Sequence, residues 1–369
     1  MGRSKLRVYQ LDLLRFIAAF GVLMYHYTFL MSRQTNFESV KFPYLEKVFK
    51  YGYLGFDLFF MISGFVILMS LAKGGGVLGF LRSRISRLYP AYWFGLSLTA
   101  FVVVVYGKPL FEVSFFQYFV NLTMFQGFAG IKNIDGVYWT LLVELKFYFI
   151  ISLMFFLTKG RIEKLEKYLI LWTTLTFLKI FVDFHSNIFL RLINFSLILD
   201  YSSYFISGMY LYLTFQRGRK IKYDVIIIIN LFLSIFLALQ GADLIYSKDF
   251  LEYAPYLLIV LITSFFVIMY LISYGKLQWL NQKIWLGLGL LTYPLYLIHQ
   301  NIGYVLFYKF DIAFGKYSTL IAVFCLMIFL SYLINRFIEQ PFGKHLRLKF
   351  DRVLESQRIQ KLLVRKILK

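Results

Sequence analysis

The sequence has few charged residues and almost no cysteine. Charged side chains make up 16% of the 369 residues, and hydrophobic residues make up 60%. A soluble domain is usually about 25% charged, and a chain of this size could not remove so much apolar surface from water. Soluble enzymes and disordered regulators are therefore excluded. The single cysteine, Cys325, excludes a structural disulfide, and no Cys/His group has zinc-binding spacing, so we expect no metal.

Long, continuous apolar runs occupy most of the chain. A membrane-spanning helix needs about 20 predominantly apolar residues, and the runs do not alternate as the strands of a membrane barrel do. We therefore predict an all-α integral membrane protein, a polytopic bundle of about ten transmembrane helices. A shorter apolar stretch near 115–126 predicts a re-entrant or interfacial piece. The predicted spans are 11–31, 53–72, 88–106, 138–158, 167–184, 188–213, 223–240, 253–273, 285–308 and 315–338.

The distribution of basic residues predicts the orientation. The net charge is +21, and with a cytoplasmic N-terminus the inner segments hold 27 Lys and Arg against 10 outside. Basic residues are retained on the cytoplasmic side of membranes, so we predict that both termini are cytoplasmic. This distribution explains the charge without nucleic acid as a partner; the expected partner is the lipid bilayer.

The C-terminal end of the chain differs in composition from the rest. Residues 343–369 carry nine Lys and Arg with interleaved apolar residues. This pattern is typical of a basic amphipathic helix on the anionic inner leaflet, although a solvated basic tail has a similar composition. We therefore divide the chain into a transmembrane domain, 1–342, and a basic cytoplasmic tail, 343–369.

Several ionisable residues fall inside the predicted spans, where charge is costly and indicates function. Arg15 and His26 are eleven residues apart, so they share a face of the first span about 16 Å apart along its axis. On the predicted topology, a layer in the outer half of the membrane contains four titratable side chains, namely His26, Asp57, Glu144 and His299. A histidine beside a carboxylate suits a general base. Structural hydrogen bonds between helices are the alternative.

A second group of residues faces the predicted cytoplasmic side. Arg84 and Arg87 are three apart at the start of the third span and therefore share a helix face. With Arg15 they could form a guanidinium cluster, whose forked donors suit phosphate. The alternative is an ordinary basic flank of a membrane helix.

Six motifs in a fixed order resemble membrane acyltransferase family 3, the OafA-like polysaccharide O-acyltransferases. The resemblance covers almost the whole chain, with two departures: Leu145 and Lys146 follow Glu144 where the family often has Glu and Gln, and Gln340 stands where it usually has Arg. The matching motifs are Leu11-Asp12 and Arg15-x10-His26; Gly55-Phe-Asp57 with Ser63-Gly64-Phe65; Arg84-x2-Arg87 with Pro90-x-Tyr92-Trp93; Trp139-x4-Glu144-x2-Phe147-Tyr148; Tyr293-Pro-Leu-Tyr296-Leu-Ile-His299; and Glu339-Gln-Pro341-Phe342.

The resemblance implies an enzyme that moves an acyl group, commonly acetyl, from cytoplasmic acyl-CoA (acetyl-CoA) to a hydroxyl. The implied acceptor is a cell-envelope glycan or a lipid-linked sugar, and the implied location is the bacterial inner membrane.

The residues and the resemblance together predict a site with two sides. Arg15, Arg84 and Arg87 would bind the phosphates of the donor. His26 would act as general base or as covalent acyl carrier. The remaining candidates are Asp57 or Glu144, to orient His26; His299 and Tyr296, in the same pocket; Trp139, for substrate binding; and Ser63, as an acyl relay or a packing residue.

Two rival interpretations stay open from the sequence. A non-catalytic glycan or lipid transporter or flippase would also place His and acidic residues inside the membrane as a proton relay. A different membrane O-acyltransferase fold would also use an intramembrane histidine. Acceptor identity, acyl chain length and oligomeric state are open as well.

Overall fold

The computed structural model describes residues 7–35, 40–184, 186–245 and 255–352. Within these ranges the chain is helical and contains no β-strand, which confirms the all-α prediction. The helices are α1 (Tyr9–Thr35), α2 (Pro43–Phe49), α3 (Gly55–Ala72), α4 (Gly76–Tyr106), α5 (Phe115–Asn121), α6 (Trp139–Leu157), α7 (Leu165–Leu178), α8 (Ile188–Leu197), α9 (Ser202–Arg217), α10 (Ile221–Ile245), α11 (Pro255–Ser273), α12 (Trp285–Phe314) and α13 (Lys316–Arg352).

Seven helices in the described part of the chain are long and apolar enough to cross a membrane. They are α1, α3 with the preceding α2, α4, α6, α10, α11 and α13. A chain with this many apolar helices is a multi-pass membrane protein, because only lipid can accommodate so much exposed apolar surface.

The prediction of ten continuous spans is not supported by these helices. The predicted span 188–213 is divided into α8 and α9, and Ile198 between them adopts a left-handed conformation (φ 47°). The predicted span 167–184 ends as a helix at Leu178. Polar groups at these breaks need partners: Lys179 forms an ion pair with Asp200, and the Asn194 amide donates to the same carboxylate at 3.0 Å.

The chain forms two compact units. The first comprises Met1–Gly74 and Tyr138–Thr292, and its centre is α9, which is buried at every position from Ser202 to Phe215. Helices α9 and α3 pack so closely that their backbones are in contact. A Cβ added to Gly208 would lie 1.9 Å from the Met61 carbonyl oxygen, and one added to Gly64 would lie 2.1 Å from the Phe205 oxygen. The two glycines therefore permit this close approach.

The second unit comprises Gly75–Val137 and Tyr293–Lys369. Its helices α4 and α12 are joined by a hydrogen bond in which the Tyr293 hydroxyl donates to the Leu88 carbonyl at 2.9 Å. The stretch near 115–126, which the sequence predicts to be a re-entrant or interfacial piece, contains the short helix α5. Phe115 is 80% exposed, while Asn121 at the other end is buried and accepts from the Tyr92 hydroxyl at 2.6 Å.

Helix α13 continues past the predicted domain boundary at residue 342. It contains a π-helical turn at Asn335–Glu339 and extends to Arg352. Asp351 near its end forms an ion pair with Arg82 of α4. The start of the predicted basic tail, residues 343–352, thus continues α13, and residues 353–369 lie outside the described residues.

Candidate active site

His26 begins a π-helical turn within α1. The α-helical hydrogen bonding of α1 widens over His26–Leu30 and then resumes; such turns are rare and frequently occur at functional sites. The His26 side chain is buried, and its Nδ1 lies 2.7 Å from the Val22 carbonyl oxygen. Because a carbonyl can only accept, Nδ1 carries a proton, and in the neutral form of the ring the lone pair is then on Nε2. This tautomer is the one a base needs.

Arg15, one end of the predicted Arg-to-His pair, belongs to a charged group near the start of α1. The Asp12 carboxylate is buried and accepts from Arg7 Nε at 3.0 Å, while Arg15 Nη1 lies 3.7 Å from it. Asp12 therefore holds two guanidinium groups together. The sequence shows Asp12 as a charged residue in a span but does not identify this role. Gly289 permits its burial, because a Cβ there would lie 2.5 Å from the Asp12 Cβ.

A small cavity opens beside this charged group. Its volume is about 150 Å³. It is lined by Arg7, Val8, Gln10, Phe215, Ile272, Gln278 and Asn281, all in the first unit.

Glu144 and Ser63, both predicted site residues, are brought together although they are 81 positions apart. Ser63 Oγ donates to Glu144 Oε1 at 3.2 Å, and the Tyr148 hydroxyl donates to the same oxygen. Both side chains are half-buried. A carboxylate bonded to a serine can accept its proton, so this pair is chemically competent for acyl relay as well as for packing.

Asp57 lies deep in the first unit and faces a partner that the sequence analysis missed. Asp57 is 4% exposed, and its carboxyl lies near the hydroxyl of Tyr204 on α9. Ser234 on α10 lies near the same hydroxyl, which is buried and makes no hydrogen bond of standard geometry with the described part of the chain. No local pattern distinguishes Tyr204 from the other tyrosines of α9, because its role depends on which residue of α3 it meets.

The predicted substrate-binding residue Trp139 belongs to a group of aromatic rings. Its ring centroid lies 5.1 Å from that of Phe56 and 5.5 Å from that of Tyr201, and Phe60 lies 5.2 Å from Tyr201. Trp139 and Tyr201 are only partly buried. The group therefore offers aromatic faces on which a ligand could stack. One of its members, Phe56, directly precedes Asp57 in the sequence.

Lys146, where the family often has Gln, contacts α8. Its Nζ donates to the Phe195 carbonyl at 2.9 Å and lies 3.4 Å from the centre of the Phe195 ring. The lysine thus anchors α8 to α6.

In the second unit, His299 repeats the pattern of His26. It is 1% exposed, and its Nδ1 lies 2.9 Å from the Tyr296 carbonyl oxygen, so the neutral ring again has its lone pair on Nε2. The ring centroids of Tyr296 and His299 are 5.7 Å apart. The Tyr296 hydroxyl donates to the Val137 carbonyl at 3.4 Å. Tyr296 and His299 are neighbours because they are three positions apart in one helix.

The predicted donor-binding arginines Arg84 and Arg87 lie on α4 in the same unit. Arg87 is exposed, and its charge acts on the Glu339 carboxyl of the π-helical turn in α13. Glu339 accepts from the Asn335 amide at 2.8 Å. The Arg84 guanidinium lies 5.6 Å from the centre of the Phe80 ring. Glu339 of the Glu339-Gln-Pro341 motif therefore lies within the electrostatic influence of Arg87.

Asp135 is a buried carboxyl that the sequence analysis did not select. It accepts the backbone N–H of Asn301 at 3.0 Å and that of Val137 at 3.2 Å, while the Asn301 amide donates to the Ile134 carbonyl at 2.7 Å. Burial raises the pKa of Asp135 from 3.8 to about 7, against the effect of the two N–H donors. The available signal was the turn-forming Asp135-Gly136 dipeptide just before the Trp139 motif.

The site residues are divided between the units. Arg15, His26, Asp57, Ser63, Trp139 and Glu144 belong to the first, and Arg84, Arg87, Tyr296 and His299 to the second. Among the described residues no group of three or more His, Cys, Asp or Glu could hold a metal ion.

Comparison with known proteins gives the family. A family profile described as an acyltransferase domain, that of acyltransferase family 3, matches residues 8–336. Nodulation protein 10 of Rhizobium leguminosarum bv. viciae is 27% identical over 119 residues, which cover 27% of this chain and 32% of that protein. A protein of the Acidianus two-tailed virus, ORF330, whose name gives it as a candidate acetyltransferase, is 25% identical over 123 residues, or 33% of this chain and 35% of its own length.

The chain therefore spans about a third of the length of these two relatives. No solved structure matches it. The family profile, in contrast, covers nearly the whole sequence. The chain belongs to acyltransferase family 3.

Proposed function

We propose that this protein transfers an acyl group, acetyl in the first instance, from acyl-CoA to a hydroxyl of a cell-envelope glycan or a lipid-linked sugar. Family membership supports acyl transfer in a membrane. The observation that carries the proposal is His26: a buried imidazole in a π-helical turn whose Nδ1 is committed to Val22, which leaves the lone pair on Nε2. A general base of this kind is what hydroxyl acylation requires.

The steps follow from ordinary acyl transfer. His26 Nε2 takes the proton of the acceptor hydroxyl as its oxygen attacks the thioester carbonyl. The carbon–sulfur bond breaks, and the coenzyme A thiolate leaves with a proton returned from the imidazolium. Asp57 or Glu144 would orient the imidazole or stabilise its charge, and His299 and Tyr296 are further candidates for contact with the substrate. In the covalent variant, His26 or Ser63 would carry the acyl group between donor and acceptor.

The binding roles divide by chemistry. Arg15, Arg84 and Arg87 would bind the phosphates of the donor, because guanidinium groups match phosphate oxygens two at a time. Asp12 would keep the Arg15 guanidinium in place near the start of α1. The partly buried rings of Trp139 and Tyr201 would stack the acceptor.

The proposed topology has ten crossings with both termini in the cytoplasm of a bacterial cell, in its inner membrane. Seven crossings are the apolar helices already described. We assign the other three to α7, α9 and α12. With these included, successive crossings run in opposite directions through the membrane and both termini lie on the same side. The excess of basic residues in the inner segments supports this orientation, and it places Arg15, Arg84 and Arg87 on the donor side.

The test uses two substitutions of His26. His26→Ala and His26→Gln should both abolish acyl transfer, since general-base catalysis contributes about 10²–10⁴ in rate, while acyl-CoA binding to the purified protein survives. Acylation is measured by mass spectrometry of envelope glycans from cells expressing each variant, at matched protein levels.

The control is His345→Gln, which changes an exposed histidine of α13 and should leave acylation unchanged. If His26→Gln retained near wild-type acylation, His26 would only be a structural hydrogen-bonding residue. The transporter alternative predicts envelope glycans without any added acyl group even in cells that express the wild type, and the same mass spectra would show this.

A further inference from the structure

The turn between α6 and α7 and the adjoining helix ends border an open cavity that is lined by none of the predicted site residues. Its volume is about 200 Å³, several times the roughly 30 Å³ that one water occupies. The turn is wound tightly, with positive φ at Lys159 (52°) and Gly160 (77°). The cavity is lined by Leu157, Thr158, Lys159, Arg161, Lys164 and Lys167.

Four of the six lining residues are basic, and the neighbouring acids do not neutralise them. Glu163 accepts from Arg217 at 2.7 Å, and Glu166 forms an ion pair with Lys222. Both carboxylates are therefore engaged by residues at the end of α9 and the start of α10. Within the described ranges, none of the four cavity cations lies within ion-pair distance of a carboxylate.

The polypeptide therefore concentrates positive charge around a concave space. An ordinary basic flank would spread its lysines over a convex surface, and would pair some of them with nearby acids. Here the pairing is selective, since the two acids serve Arg217 and Lys222 and leave the cavity positive. A phosphate group is the ligand that such a lining fits.

The surface next to the cavity is apolar and exposed. On the last turns of α6, Leu153, Phe156 and Leu157 are 47%, 70% and 52% exposed. Helix α6 is long and apolar enough to cross a membrane, so we expect these side chains to face lipid acyl chains. A ligand with a phosphate head and hydrocarbon tails would satisfy both surfaces at once.

We propose that the turn 157–167 binds an anionic phospholipid, with its headgroup phosphate in the basic cavity and its acyl chains along the exposed end of α6. This inference does not depend on the acyltransferase site, because it uses none of its residues. The lipid would then be a specifically bound ligand of the first unit, distinct from the surrounding bilayer lipid.

The experiment measures thermal unfolding of the full-length protein in a neutral detergent. A ligand that binds only the folded state raises the unfolding temperature by mass action. Phosphatidylglycerol added to the micelles should raise it, and phosphatidylcholine with the same acyl chains should not. The variant Arg161→Gln/Lys164→Gln should need about tenfold or more phosphatidylglycerol for the same rise.

A matched control removes two charges elsewhere. Lys220 and Lys283 are exposed and do not line the cavity, so Lys220→Gln/Lys283→Gln should respond like the wild type. All four substitutions are at exposed positions, so both variants should fold. Lys167→Gln, which removes a third cavity cation, should also raise the phosphatidylglycerol requirement.

Three outcomes would overturn the proposal. An equal effect of phosphatidylcholine would mean general solvation by lipid. An unchanged response of the cavity variant would mean a nonspecific basic surface. Inorganic phosphate that reproduces the effect and abolishes the response to phosphatidylglycerol would mean a site for a soluble phosphate ligand.

Discussion

At the scale of single residues, the two intramembrane histidines use their rings in the same way. His26 and His299 each direct Nδ1 to a backbone carbonyl one turn earlier in their own helix. This local bond sets the tautomer without any residue from another helix. A helix can therefore present an imidazole with a defined lone pair, and only the position of that lone pair depends on tertiary structure.

The same scale includes a prediction about the donor. Arg84→Gln/Arg87→Gln should weaken acyl-CoA binding, because each lost charge-assisted hydrogen bond costs about 1.5–3 kcal/mol. Titration calorimetry on the purified protein measures the change. Arg82→Gln on the same helix is the control, since its guanidinium is engaged by Asp351, and it should leave the affinity unchanged. Equal affinities for all three proteins would reduce Arg84 and Arg87 to signals of topology.

At the scale of secondary structure elements, the contact between α3 and α9 depends on two glycines. Gly208→Ala should destabilise the protein by about 1–3 kcal/mol or more, because its Cβ would overlap the Met61 carbonyl oxygen and separate the helices. Gly287→Ala in α12 is the control, because no atom lies within 4 Å of its added Cβ. It should be neutral or slightly stabilising. Thermal unfolding in detergent compares them, and equal unfolding temperatures would contradict the packing described for α9.

The loop before α6 supplies a prediction of pH dependence. Asp135 has a pKa of about 7 in the folded protein against an ordinary value of 3.8, because it is buried. Between about pH 4 and 7 the folded protein therefore holds a proton that the unfolded chain releases. The stabilisation is complete below about pH 4 and is lost as the pH rises through 7. Unfolding temperatures measured across this range should fall for the wild type.

The variant Asp135→Asn separates this effect from the rest of the protein. An amide does not titrate, so its stability profile should be flatter by a few kcal/mol over the same range, at about 1.4 kcal/mol per pKa unit. Parallel profiles for the two proteins would show that Asp135 keeps its ordinary pKa. Acylation measured alongside shows whether the anchoring of this loop to α12 also positions Trp139.

At the scale of the whole molecule, the prediction concerns topology. Reporter fusions at residues 130 and 245 should report outside, and fusions at 78 and 219 should report inside, because basic residues are concentrated in the inner segments. Inverted results at two of these positions would place Arg15, Arg84 and Arg87 away from cytoplasmic acyl-CoA and would remove the donor-side assignment.

The sequence by itself determined the class of protein and the family. Hydropathy is a local property, so apolar runs located all seven membrane-crossing helices. The motif residues were also read directly, and the family profile over 8–336 confirms the resemblance. The sequence did not show that two of the predicted spans are interrupted, because hydropathy does not show where a polar group breaks a helix: Lys179 and Asp200 pair across the interruption near α8.

Only the tertiary structure decided which of these residues meet. Ser63 with Glu144, Tyr204 with Asp57 and Asp135 with Asn301 are pairs from distant parts of the chain. In water an apolar stripe shows which face of a helix is inward. In lipid the outer surface is as apolar as the core, so the pattern loses that information. The rotation of each helix, and with it every polar contact of the site, is set by packing between helices.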